Sequence, residues 1–151
     1  MSMGGSGQLQ ELQQELQVLE SKRQELEAEV ETLQEEKREI DEAIEGLETL
    51  ETGSIVHVPL GGEAYVRAAV EDIDEVVVGL GGGYAAEETR EEATETLENK
   101  KERLDDRIDE VRSEISEVEE QTRELEQRAQ QAQQQLLQQA AQRQQQGQDR
   151  E

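Results

Sequence analysis

The chain has 151 residues, of which 32% are hydrophobic and 1% aromatic, with no Trp, Phe or Cys and a formal net charge of −24. Ordinary globular domains are nearer half apolar and draw much of their buried area from aromatic rings, so a single compact core is not expected. The acid excess repels phosphate backbones and anionic lipid alike, which argues against nucleic-acid and membrane-surface partners.

The charge is uneven in kind as well as in sign. Thirty-nine acidic residues face 15 basic ones, and Lys occurs only at 22, 37, 100 and 101. Such a balance suits a protein kept soluble in concentrated salt, where screening removes self-repulsion. Met1 to Gly7 is small and uncharged in its side chains, with no apolar run behind it, so no signal peptide is expected and the expected location is the cytoplasm. This first stretch, residues 1–7, is expected to be disordered.

Residues 8–51 read as the first long helix. Apolar or aliphatic-stemmed residues recur at Leu9, Leu12, Leu16, Leu19, Arg23, Leu26, Val30, Leu33, Lys37, Ile40, Ile44 and Leu47. With Leu9 at position a, every d position from 12 to 47 is Leu or Ile, without a stutter, which predicts a coiled-coil helix on the order of 65 Å long.

Residues 52–88 change character. Gly53, Pro59, Gly61, Gly62, Gly79 and Gly81 to Gly83 punctuate β-branched runs. Ser54 to Pro59 predicts one strand and Ala64 to Val70 its partner, with Leu60 to Glu63 as the turn. Glu75 to Leu80 predicts a third strand and Gly83 to Glu87 a short fourth. Hairpins this small are barely stable alone, so their edges are expected to pair with other subunits. The apolar strand residues Ile55, Val56, Val58, Tyr65, Val66, Val70, Val76, Val77, Val78 and Leu80 are the candidate oligomerisation surface.

Residues 89–143 read as the second helix. Thr89 and Glu92 form a T-x-x-E capping box at its start. Periodicity follows at Leu97, Lys101, Leu104, Ile108, Val111, Ile115, Val118, Thr122, Leu125, Ala129, Ala132 and Leu136, ahead of a Gln-rich tail, 144–151, expected to be disordered. The predicted fold is mainly α with a small β insert: a long antiparallel coiled-coil hairpin with two β-hairpins between its helices. Two pairings fit, with partner residue numbers adding to 141 or to 148. Small residues and glutamines face the first helix at the ends remote from the insert. Leu9, Leu12, Leu16, Leu136 and Leu137 are therefore expected to be partly exposed, either as a grip for unfolded chains or simply as frayed ends.

Catalytic chemistry is missing. The chain has one His and no Cys, and His57 lies in the strand Ile55-Val56-His57-Val58, where a solvent-facing or interface role is expected. Gly79 and Gly81 begin a G-x-G pattern, but Tyr84 stands where a dinucleotide fingerprint needs glycine. No E-x-x-H spacing offers metal ligands. No catalytic, cofactor or metal site is expected.

The P-L-G-x-x-x-Y-V element at Pro59 to Val66 and the D-x-V-V-V-G-x-G-x-G-like element at Asp74 to Gly83, flanked by coiled coils in this order, resemble the central region of archaeal-type prefoldin α subunits. The resemblance implies a hexamer of two α and four β subunits. Ile55 to Val70 and Val76 to Ala86 would build its β platform, and the free helix ends would grip non-native proteins. It also implies transfer of those proteins to a group II chaperonin without ATP. A structural or tethering coiled coil would account for the heptads but not for the paired hairpins.

Overall fold

The computed structural model describes residues 3–148. The elements run α1 (Met3–Thr49), β1 (Ile55–Gly61), β2 (Ala64–Ala69), β3 (Val76–Gly81), β4 (Tyr84–Glu88) and α2 (Arg90–Gln148). Both helices extend beyond the sequence-based limits: residues 3–7 and 144–148 are helical. A nucleated helix gains one backbone hydrogen bond for each residue it fixes, which favours such growth. The rest of the disorder expected at the chain ends, at 1–2 and 149–151, falls outside the described residues.

The chain divides into two compact units. The terminal unit joins Met1–Glu31 with Asp109–Glu151, and the central unit is Thr32–Ile108. In the terminal unit the buried residues are Leu12, Leu26, Val111, Val118 and Ala132, each on a position that the three–four spacing assigns to the seam. Val111 is fully enclosed. Leu12 departs from the expectation of an exposed end residue: only 9% of its surface is accessible.

In the central unit, α1 closes at Thr49 with the Leu50 amide donating to the Gly46 carbonyl at 2.9 Å. The Glu51–Ser54 turn follows, held by the Ser54 amide to the Glu51 carbonyl and the Glu51 amide to Ser54 Oγ, both 2.9 Å. The α2 start is the predicted cap: the Glu92 amide donates to Thr89 Oγ1 at 3.3 Å, satisfying one of the four amides a helix leaves over.

Within this unit the helices pair in one of the two registers that the sequence allowed. Lys37 Nζ reaches Asp105 Oδ1 at 2.5 Å, and Lys101 Nζ reaches Asp41 Oδ1 at 2.6 Å. Both pairs have residue numbers adding to 142, one step from the 141 pairing and far from 148. The two lysines occupy seam positions on opposite helices. Their stems lie along the seam while the ammonium groups leave it for a carboxylate on the other helix.

β1 and β2 form one antiparallel hairpin and β3 and β4 another, as separate two-stranded sheets. The registers run Ile55↔Ala69 to Pro59↔Tyr65 and Val76↔Glu88 to Gly79↔Ala85. Each hairpin has a bulge before a two-residue turn, at Pro59/Gly61 and at Gly79/Gly81. The turns are Gly62-Glu63 and Gly82-Gly83, all at positive φ, as a two-residue hairpin loop with the twist of its strands requires. The expected four-residue turn at Leu60 to Glu63 is thus shorter, because Leu60 and Gly61 remain in β1.

Candidate functional site

The hairpins fall into two environments because they are tied to the helices differently. In β3–β4, Val76, Val78, Ala86 and Glu88 share one face by register. That face turns to α2: Thr96 Oγ1 donates to both Glu88 carboxylate oxygens, at 3.1 and 2.9 Å. The Lys100 ammonium also donates to the Gly79 carbonyl. Val78 is accordingly 6% exposed, and Val76 and Ala86 are half-buried. Val77, on the other face, is 71% exposed.

β1–β2 is held mainly by its base. The Gly53 amide donates to the Val70 carbonyl at 2.7 Å, and the Val70 amide to the Ser54 carbonyl at 2.8 Å, continuing the ladder inward. The Ile73 amide donates to Thr52 Oγ1 at 3.1 Å. The Arg90 guanidinium donates to the Leu50 carbonyl, so the first residue of α2 clasps the end of α1. Beyond this base both faces are open. Val58 and Val66 stand on one, and Ile55 and Tyr65 on the other, all exposed, while Val56 is half-buried.

Among the described residues, eight of the ten strongly exposed large apolar side chains lie between Ile55 and Tyr84. This concentrates the molecule's unsatisfied apolar surface on the hairpins. Neither sheet has a third strand, so each hairpin also presents open backbone edges. Open edges beside exposed Val, Ile, Leu and Tyr form a surface suited to strand addition by another chain. The candidate set divides accordingly. Ile55, Val58, Tyr65, Val66, Val77 and Leu80 are available, Val56, Val70 and Val76 partly so, and Val78 is taken up internally. Leu60 and Tyr84 fall inside the expected platform ranges but outside the ten named candidates, and both are exposed beside the two turns. The signal was present: Leu60-Gly61-Gly62 recurs as Leu80-Gly81-Gly82, in the same place in the second hairpin.

His57 is exposed on β1 opposite Arg67. Among the described residues no cluster of three His, Cys, Asp or Glu side chains could hold a metal, and no helix is long and apolar enough to cross a membrane.

The family model described as "Prefoldin subunit" matches residues 19–135, taking in both hairpins and most of both helices. The chain belongs to the prefoldin family. Its similarity to prefoldin subunit alpha of Halobacterium salinarum is 57% identity over 95 residues, covering 62% of each chain. With prefoldin subunit alpha of Haloarcula marismortui it is 54% over 86 residues, covering 57% of this chain and 56% of the relative. Both relatives come from halophilic archaea. The matched stretches thus span under two thirds of these curated prefoldin subunits. The cryo-EM structure of filamentous PFD from Methanocaldococcus jannaschii is similar at 27% identity with a TM-score of 0.52, covering 79% of this chain and 95% of that one. The prefoldin family accounts for the order of elements: long helix, two hairpins, long helix.

The candidate grip lies in the terminal unit. Leu9, Leu16 and Leu136 are half-buried, Leu12 is buried, and Leu137 is 65% exposed. Leu9, Leu16 and Leu136 thus keep part of their surface accessible and Leu137 most of it, while Leu12 is covered. Val18, off the seam and 67% exposed, borders an open groove of about 400 Å³ with Leu19 and Leu125. Its position outside the a and d series hid it from periodicity.

Proposed function

We propose that the chain is an α-type prefoldin subunit that assembles through its hairpins with β-type subunits, two α to four β. In this reading the complex captures non-native proteins at the free helix ends and passes them to a group II chaperonin without ATP, in the cytoplasm. The observation that carries the reading is the pair of hairpins with open edges and exposed apolar faces, placed between two long helices in a prefoldin chain. A tether would need only the helices. A two-stranded sheet is marginal until a further strand or helix covers it, so β1–β2, open on both faces, gains its stability by assembly.

The test is the mass of the native complex in molar salt, by sedimentation, with its subunits identified. Two copies of this chain with four of a coiled-coil partner, together with suppressed aggregation of a diluted denatured protein, support the proposal. A monomer or simple dimer that does not suppress aggregation overturns it.

A further inference from the structure

Two stretches of the chain lack carboxylate side chains, and the acids resume only at Asp149 and Glu151. Residues 11–126 carry 37 Asp and Glu against 12 Lys and Arg, whereas 127–148 carry Arg128 and Arg143 and no acid, and 3–10 carry no charged side chain. Both of these stretches belong to the terminal unit. There α2 is exposed from Leu137 to Gly147, and Gln130, Gln134, Gln138 and Gln142 form an exposed series four residues apart. Arg128 and Arg143 are also exposed. A helix needs no glutamine in preference to glutamate, since the two have similar helix propensities. Solubility would favour glutamate. The switch from one to the other therefore marks a surface from which charge, specifically, is removed.

We propose that the surface of residues 127–148, poor in carboxylates, takes unfolded polypeptides rich in Asp and Glu; the proposal rests on capture at the helix ends. A strongly acidic chain is repelled by the surface of residues 11–126 and meets a far less repulsive one here, beside Arg128 and Arg143. Contact also dehydrates whatever lies beneath the client, and an amide loses less than a carboxylate does. This second effect acts at the point of contact, so it survives in salt concentrated enough to shrink the Debye length to about 3 Å. Glutamine amides can both donate to and accept from the client's backbone, and Leu137 supplies exposed apolar area. Lys- and Arg-rich chains should instead spread over residues 11–126.

The test uses the full chain in its native oligomer, with a photo-cross-linking residue in place of Gln134 or, separately, of Ser116. The probes are two unfolded synthetic polypeptides of equal length and apolar content, one rich in Asp and Glu, the other in Lys and Arg. The acidic probe is expected to cross-link at 134 about tenfold more than at 116, and the basic probe to reverse that order. Combining Gln130→Glu, Gln134→Glu, Gln138→Glu and Gln142→Glu should weaken capture of the acidic probe by about tenfold and spare a net-neutral one. The double variant Arg128→Gln, Arg143→Gln, which adds no like charges along the helix, should weaken it in the same direction. Circular dichroism establishes that each variant keeps its helices. Equal cross-linking of both probes at 134, with capture indifferent to these substitutions, overturns the acidic preference and leaves capture at the helix ends standing. Cross-linking of both probes away from 134 removes both. A concentration-dependent association of complexes without any probe, abolished by the four glutamates, identifies the surface as a contact between copies and overturns the proposal.

Discussion

Gly61 and Gly81 hold the same post in the two hairpins, at φ of 101° and 92°, where each strand bulges before its turn. A Cβ at Gly61 meets no atom within 4 Å, so the difficulty of a side chain there is conformational and not steric crowding from neighbours. Gly61→Ala should lower the stability of the hairpin by about 1–3 kcal/mol. Gly46→Ala, inside α1 with equally open surroundings, should raise stability by about 0.5–1 kcal/mol. Thermal melts of the two variants should therefore shift in opposite directions. Arg23 supplies a different residue-level effect. It occupies an a position, yet its guanidinium stays on its own helix, bonding Glu20 at 2.5 Å and Glu27 at 2.7 Å. The Arg23 hydrogen bonds hold the Glu20 carboxyl below the usual carboxylate range, against a smaller opposing effect of desolvation. Stability from this lowered pKa is present above the ordinary glutamate value, about 4.3, and lost as pH falls through the folded value. The melting difference between the parent chain and Glu20→Gln should accordingly shrink between pH 6 and pH 3; a constant difference would refute the assignment.

At the scale of the element, the reciprocal lysines decide the alignment of α1 and α2 in the central unit. A seam lysine costs stability but discriminates between registers. Lys37→Asp should destabilise the pair by about 0.5–1 kcal/mol, and adding Asp105→Lys should restore most of that, measured as a double-mutant cycle. No recovery would mean that the ion pair does not set the register. The same pairs show why this alignment was not legible in the sequence. The 141 and 148 pairings both put apolar residues opposite one another, and the difference lies in Asp41 and Asp105, which sit beside the seam and outside the a and d count. Helices, hairpins and the Thr89 cap were legible because each rests on local chemistry: heptad spacing, Gly-flanked β-branched runs, a hydroxyl three residues before Glu92. The burial of Leu12 and Val78 was not, because it depends on what the partner element contributes. Alternation alone gave Val78 the same value as Val77, and only the ties from Thr96 and Lys100 separate them.

For the whole molecule, the charge of −24 sets the conditions under which these elements hold together. Lowering salt from molar to tenths of molar lengthens the Debye length from about 3 to about 10 Å, and like charges along both helices then repel one another. Helicity and oligomer size should both fall over that range; unchanged circular dichroism would rule out a salt requirement. The two hairpins bear on the size of the assembly in another way. Their turns, bulges and registers repeat at an interval of twenty residues, so one chain offers the same strand geometry twice. If each hairpin joins one neighbour, as proposed, the chain is in the polymer chemist's sense a monomer of functionality two. Such monomers alone give closed rings or open chains, and an open chain stops growing only when a partner of functionality one caps its ends. The proportion of caps to divalent chains, more than the affinity of either contact, then fixes the degree of polymerisation.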